Sequence, residues 1–130
     1  DYFLVGPDAA SYIVRYFLSH THVFDMYEEK RQMLGASHLV HGAKTRCASL
    51  FYVVRCLVKN RVAMRSVTDS DEFQKYMNKI PNNLQNFNKK HGAKYVQQLL
   101  RNDQYFIKLE KWLEVFLPIV KLMRAADANS

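Results

Sequence analysis

The chain has 130 residues, of which 48% are apolar, and it carries a net charge of +7. This length matches one domain or less, so we treat residues 1–130 as a single region with a core of moderate size. No apolar run approaches the roughly 18 residues that span a bilayer, and we find no signal peptide. Because the chain opens on Asp1 and not on Met, we expect it to be a piece of a longer protein.

The first third of the chain predicts two helices followed by a loop. Pro7 and Asp8 begin the first helix, with Asp8 as the expected N-cap. The helical pattern breaks near His20, resumes to Met33 and ends at Gly35, because glycine commonly follows the last turn of a helix. Residues 35–44 have the composition of a loop.

The remainder predicts five further helices, and six if residues 82–92 are helical. Thr45 is the expected N-cap of a helix whose apolar residues recur at helical spacing, and a short helix through Val62 and Met64 follows. Thr68 or Ser70 then caps a helix that residues 80–83 end. Residues 82–92 predict a loose helix or a connector, 93–100 a helix, and 106–123 a long apolar stripe. Pro118 lies within that stripe and is expected to kink or break the helix.

These patterns together predict an all-α bundle of about five to seven helices. No stretch alternates apolar and polar residues at the period of two that marks a half-buried strand.

The charge is unevenly distributed along the chain. From Lys30 to Thr68 there are eight Lys or Arg residues and no Asp or Glu. A segment with one sign of charge repels itself unless an anion lies nearby or water solvates it. Two interpretations therefore stay open: an anion-binding segment, or a solvated helix face.

Residue types and spacing do not predict a catalytic or metal site. His20 and His22 are close in sequence, as are His38 and His41, but no Cys or carboxylate lies at a spacing that completes a zinc shell. The nine-residue spacing of Cys47 from Cys56 fits neither a CxxC pair nor a disulfide framework, and it favours a reducing compartment. Glycine-rich phosphate loops and clustered carboxylates are also lacking. We therefore expect no metal, no cofactor and no catalytic residue in this chain.

Aromatic and basic residues interleave, as at Phe51, Tyr52 and Arg55. Such a mixture can stack bases and hold phosphates. Aromatics at helical spacing also form cores, and this second interpretation stays open.

Four segments in the same order resemble the hAT superfamily of DNA transposases, and its plant-type branch most. The run Lys-Thr-Arg-Cys-Ala-Ser-Leu-Phe at 44–51 is similar to a family motif in which a loop ends in Thr-Arg before a helix. Residues 13–20 and 66–73 resemble two further family helices. Residues 106–127, with Pro118, Arg124 and Asp127, resemble the family's "phenylalanine-x-proline-isoleucine … leucine-arginine-x-x-aspartate" stretch.

The resemblance implies that this chain is part of the all-helical insertion that interrupts the family's ribonuclease-H-like catalytic domain. The family's catalytic carboxylates lie outside that insertion, so no Asp or Glu here is assigned to catalysis. The parent would be a DNA transposase or a domesticated copy of one, and its location would be the nucleus.

The family motif falls at Thr45, Arg46 and Cys47. Better-known members carry Arg-Trp after the threonine, and the tryptophan stacks on a base near the cleaved end. Arg46 matches the arginine and would hold a phosphate, whereas Cys47 replaces the tryptophan and has no stacking face.

Two functions follow from different classes of protein. The first is DNA-backbone binding without a catalytic site, through a basic set of residues: Lys44, Arg46, Arg55, Lys59, Arg61 and Arg65. The second is a helical interaction or dimerisation module, in which the stripe at 106–123 docks on a partner, on a second copy or on the remainder of the protein. No membrane partner is expected.

Overall fold

A computed structural model describes residues 6–39 and 46–128, with side chains in these ranges except those of 46–48 and 128. Seven α-helices and one short 3₁₀ turn, Leu84–Asn86, account for nearly all of the described chain, which contains no strand. The predicted all-α bundle is therefore confirmed over these residues. The helices are Asp8–Ser19 (α1), Thr21–Leu34 (α2), Arg46–Lys59 (α3), Arg61–Thr68 (α4), Asp71–Lys79 (α5), Phe87–Arg101 (α6) and Asp103–Ala128 (α7).

Local sequence signals account for several helix ends. Gly35 adopts φ 68° after α2, and the Ala36 N–H donates to the Arg31 carbonyl at 2.9 Å, which is the bonding of a Schellman motif. The Ser70 hydroxyl accepts from the Phe73 N–H at 3.1 Å, so Ser70 is the N-cap of α5. The predicted ends at Gly35 and Ser70 are thus confirmed. The first helix begins one residue earlier than predicted, because Pro7 and not Asp8 is its cap residue.

The core forms around α3, which packs against both α1 and α7. A second contact layer joins α2 to α4 and α4 to α6. Fully buried side chains from most of the helices meet there, including Ile13, Phe17, Tyr27, Leu57, Met64, Phe73, Leu100 and Leu109. The first six helices have at most 15 residues each, and their stability comes mainly from this tertiary packing.

Asn60 separates α3 from α4 and is almost fully buried. Its amide oxygen accepts from the Ser37 N–H at 3.0 Å and from the Ser37 hydroxyl at 3.1 Å, and its amide nitrogen donates to the Cys56 carbonyl at 2.9 Å. The Tyr27 hydroxyl donates to the Ser37 carbonyl at 2.7 Å. A buried amide that is satisfied in this way holds the chain after α2 against the α3–α4 junction.

The structure refines two predictions about the second half. The helix expected at 93–100 already begins at Phe87, because the 3₁₀ turn before it is capped by Asn83, whose side-chain oxygen accepts from the Asn86 N–H at 3.0 Å. The helix through Pro118 continues without a break to Ala128. Pro118 lies on an exposed position, where water can satisfy a backbone carbonyl that loses its helical partner.

The apolar stripe at 106–123 was expected to be available to a partner, and most of it packs inside the chain instead. Phe106, Leu109 and Val120 are buried, with α7 against α3. Of the exposed apolar side chains of α7, Leu117 belongs to the stripe, whereas Ile107, Val115, Ile119 and Leu122 lie off it. The stripe therefore packs mainly within this chain, with Leu117 left exposed.

Candidate nucleic-acid interface

The structure describes only part of the predicted basic set. Lys44 and Thr45 lie outside the described residues, and Arg46 and Cys47 begin α3 with side chains that also lie outside them. Predictions about this motif therefore stay predictions. The described members are Arg55, Lys59, Arg61 and Arg65, and they fall into two different environments.

Arg55 contributes to an aromatic–arginine cluster on the surface of α3 and α7. Its guanidinium carbon lies 5.1 Å from the ring centroid of Tyr52, and that of Arg124 lies 4.8 Å from the same ring. Tyr52 is thus in cation–π range of two arginines. We call Tyr52, Arg55 and Arg124 the Tyr52 cluster.

The Tyr52 cluster leaves its charge available to an anion. Within the described part of the chain, neither Arg55 nor Arg124 makes an ion pair or a hydrogen bond, and both are exposed. Contact with a ring occupies the face of a guanidinium, while its N–H donors point outward in the plane. Lys59 is also exposed and lies one helical turn beyond Arg55 on α3.

Packed aromatic rings lie beneath the cluster. Phe51 is buried, and its ring centroid lies 5.6 Å from that of Tyr52 in an edge-to-face arrangement and 6.4 Å from that of Trp112. Trp112 stacks in turn on Phe116 with centroids 4.6 Å apart. Packed aromatic rings lose little freedom when a ligand binds nearby, so the arginines above them are held in position.

Arg61 occupies a different environment, although it lies only two residues after Lys59. Its Nε donates to the Leu100 carbonyl at 3.1 Å, and its Nη2 donates to the Asp103 carboxylate at 2.7 Å. Its guanidinium also lies over the Phe106 ring, 4.1 Å from the centroid. Through these contacts, the Arg61 side chain connects α4 to the end of α6 and to the start of α7.

Arg65 belongs to the same network. It lies 3.5 Å from the Asp69 carboxylate and 4.0 Å from that of Asp103, and Arg101 donates to Asp69 at 2.7 Å. The hydrogen bond and the charge of Arg61 hold the pKa of Asp103 below its ordinary value of 3.8. Three arginines therefore share two carboxylates, and we call this group the arginine–aspartate network.

A separate open cavity of about 560 Å³ lies along the outer side of α1. Its described lining comprises Tyr12, Arg15, Tyr16, Leu18, Ser19 and His20. Burial, and after it the neighbouring Tyr76 and Tyr12, raises the pKa of the Tyr16 phenol, which therefore stays protonated. The His20 Nδ1 donates to the Tyr16 carbonyl at 2.8 Å. The Ser19 hydroxyl lies 3.2 Å from the same Nδ1, but this nitrogen already donates to a carbonyl and so is not free to take the hydroxyl proton.

The described residues hold neither a metal-binding group nor a helix suited to crossing a membrane. No group of three or more His, Cys, Asp or Glu side chains there is arranged to hold a metal ion. None of the described helices combines the length and the apolar character that a membrane crossing requires.

Sequence reasoning missed the part that α7 plays in the Tyr52 cluster. Arg124 was noted only within the family-like stretch, and it lies 72 positions after Tyr52 along the chain. The sequence signal for Arg55 with Tyr52 was local, since the two residues are three apart on one helix. No comparable local signal relates Arg124 to either of them.

Comparisons with known proteins add no relative. No family model matches this chain, and neither the curated proteins nor the solved structures yield a match.

Proposed function

We propose that this chain is a helical segment derived from a hAT-type transposase and that it binds the DNA backbone without a catalytic site of its own. The protein would act in the nucleus, and the remainder of the transposase-like protein would be its second partner. The resemblance of residues 13–20, 44–51, 66–73 and 106–127 to that family supports the origin.

The observation that carries the DNA-binding proposal is the Tyr52 cluster. Arg55 and Arg124 come from helices far apart in sequence, yet both lie against one ring with their hydrogen-bond donors unused within the described chain. Arginine in this state binds phosphate in a bidentate manner without first breaking an ion pair. Lys59 adds a third cation near the same surface.

The mechanism is electrostatic. Each arginine or lysine that neutralises a phosphate releases condensed counterions, so affinity falls steeply as salt increases. Contacts of this kind hold the duplex in position but carry no base sequence information. We therefore expect binding that depends on salt and hardly at all on sequence.

The experiment compares two variants that lose the same charge. Arg55→Gln/Arg124→Gln removes the cluster, and Lys75→Gln/Lys111→Gln removes two exposed lysines elsewhere. Fluorescence anisotropy with a labelled 20-base-pair duplex across a salt series should give the cluster variant a log–log slope smaller by about 1.8, from 0.9 per lost contact. The lysine variant should keep nearly the parent slope. Equal slopes in both variants would refute the proposed surface.

The transposase origin is tested separately, by the sequence that flanks this segment in its gene. Strands that carry acidic residues on both sides would support a ribonuclease-H-like domain interrupted by these helices. Flanking sequence without such strands would refute the origin, while the binding measurement would stand on its own.

A second candidate function is a protein interaction module that uses a different face of α7. Val115, Ile119 and Leu122 recur at i, i+4 and i+7 and are 66%, 46% and 71% exposed. Such a row is typical of a helix that packs on another helix. Sedimentation of the parent and of Val115→Lys/Leu122→Lys tests self-association: a parent that is monomeric at high concentration would refute the dimerisation form of this function.

A further inference from the structure

A second basic stretch follows the first and has no acidic residue either. From Phe73 to Asn102 there are six basic residues and no Asp or Glu. Arg101 is bound to Asp69, but the five lysines make no ion pair with any described carboxylate. These lysines are Lys75, Lys79, Lys89, Lys90 and Lys94.

The α6 helix arranges part of this charge around an exposed aromatic ring. Phe87, Lys90, His91 and Lys94 recur at i, i+3, i+4 and i+7, which places them on one face of the helix. The opposite face carries the buried residues, among them Val96 and Leu100. We call Phe87, Lys90, His91 and Lys94 the Phe87 face.

The aromatic ring on this face is unusual for its exposure. Phe87 is 63% exposed, and its ring stacks on that of His91 with an interplanar angle of 8° and centroids 5.8 Å apart. Leu84, in the preceding turn, is 95% exposed. Apolar surface left in water, on a helix face that also carries Lys90 and Lys94, indicates a binding surface more than a core.

The side chains around the ring are amides. Asn82, Asn83, Gln85 and Asn88 are all exposed, and Asn86 is half-buried. Amide side chains both donate and accept hydrogen bonds, as base edges do. The surface therefore combines an aromatic plane, cations one helical turn apart, and adaptable hydrogen-bonding groups.

We propose that the Phe87 face binds single-stranded nucleic acid, with an unpaired base stacked on Phe87 and backbone phosphates on Lys90 and Lys94. Stacking on an aromatic side chain and cations along a backbone are the two elements of sequence-tolerant single-strand binding. A duplex hides the faces of its bases within the stack, so it engages the lysines alone.

Two other anionic partners fit less well. Insertion of Leu84 and Phe87 into a lipid surface would carry the neighbouring asparagine amides toward hydrocarbon, where an unsatisfied amide is costly. An acidic peptide would satisfy the lysines but would leave the stacked ring plane unexplained. Both partners are included in the test below.

This inference goes beyond duplex binding by the Tyr52 cluster and does not depend on it. The two surfaces share no residue and lie on different helices. A variant of one surface therefore reports on that surface alone.

The experiment uses the full 130-residue chain and two labelled probes: a 20-nucleotide strand without self-complementarity, and the duplex of the same sequence. The variants are Phe87→Leu, Lys90→Gln/Lys94→Gln and, as the charge-matched control, Lys75→Gln/Lys111→Gln. Circular dichroism melting confirms that each variant folds. Anisotropy is measured across a salt series.

Phe87→Leu keeps the charge and an apolar side chain but removes the ring. It should weaken single-strand binding by about fivefold or more, the lower end of stacking by one base, and leave duplex binding within about twofold. Lys90→Gln/Lys94→Gln should reduce the single-strand salt slope by about 1.4. The control should reduce it by less than half of that.

Several outcomes would overturn the inference. One is a Phe87→Leu variant that binds the single strand as the parent does. Another is a Phe87→Leu variant that loses equal affinity for the single strand and for the duplex. A third is stronger binding to vesicles of anionic lipid, or to a polyglutamate peptide, than to the single strand. Failure of Arg55→Gln/Arg124→Gln to change duplex binding would refute the Tyr52 cluster alone.

Discussion

Arg55 and Arg61 lie six residues apart in the same acid-free segment, yet the fold uses them in opposite ways. Arg61 bonds to the Leu100 carbonyl and to Asp103 and lies over the Phe106 ring. Arg55 lies against Tyr52 with no carboxylate partner in the described chain. One arginine holds helices together, and the other presents its charge to solvent.

The difference shows why the net charge counted along one segment of sequence exceeds the unpaired charge that the folded surface presents. The carboxylates that neutralise α4 are Asp69 and Asp103, and both lie outside the segment from Lys30 to Thr68. Asp103 comes more than thirty residues later and reaches Arg61 only because α6 returns the chain to α4. Available charge is thus a property of the tertiary structure.

The largest expected effect comes from Arg61→Ala. Loss of the hydrogen bond to the Leu100 carbonyl and of packing on Phe106 should lower the free energy of unfolding by about 2 kcal/mol. Arg55→Ala, the matched control, should lower it by no more than about 1 kcal/mol, because its side chain is exposed and loses only cation–π contact. Urea denaturation of both variants measures the contrast, and equal losses would break the comparison.

The next effect is on duplex binding, which the substitution should strengthen and not weaken. Asp69→Asn/Asp103→Asn removes the carboxylates that occupy Arg61, Arg65 and Arg101. The freed guanidiniums should steepen the salt dependence of duplex binding by about one in log–log slope, as one added phosphate contact would. Glu110→Gln/Glu114→Gln changes the charge equally on α7 and serves as control. If both variants raise affinity alike, net charge and not pairing governs binding.

A smaller effect is expected from Tyr52→Leu. It removes the ring shared by Arg55 and Arg124 but keeps both charges. Exposed cation–π contacts contribute about 0.5–1 kcal/mol each, so duplex affinity should fall a few-fold while the salt slope stays constant. A slope that decreased as well would mean that the ring itself is needed to bring the arginines to phosphate.

The smallest effect is in the pH dependence of stability. The folded pKa of Asp103 lies below its ordinary value of 3.8, so its contribution is present above that pH and is lost as the pH falls through the folded pKa. Asp103→Asn should therefore lose less stability than the parent between pH 6 and pH 3. Urea midpoints of both proteins at the two pH values measure this, and an Asp103→Asn variant that loses as much stability as the parent would contradict it.

The sequence predicted the fold well where the signal was local. Gly35 and Ser70 terminate helices through their own backbone freedom and hydroxyl group, and both ends were found as expected. The start of α6 was placed too late, because its cap, Asn83, acts through a 3₁₀ turn whose composition is that of a loop. Proline within a helix removes a backbone hydrogen bond, but whether the helix continues past Pro118 depends on how the flanking turns pack.

The candidate site was less predictable than the fold. Arg55 and Lys59 could be identified from charge, since their environment is set by one exposed helix face. The binding of Arg61 by Asp103 and the approach of Arg124 to Tyr52 span 42 and 72 positions. Contacts at that separation follow from how helices pack, and no periodicity within one helix encodes them.

The central position of α3 has a consequence for the order of folding. Tyr105 donates its hydroxyl hydrogen to the Gly6 carbonyl, 99 residues earlier in the chain, at 3.2 Å. During synthesis, α1 and α3 leave the ribosome well before α7 is made. Until then, the face of α3 that α7 covers is exposed to solvent. Closing so long a loop costs conformational entropy, and this cost is offset only by the packing contacts of the complete core. The described bundle therefore reaches its native state after translation of α7 and not helix by helix.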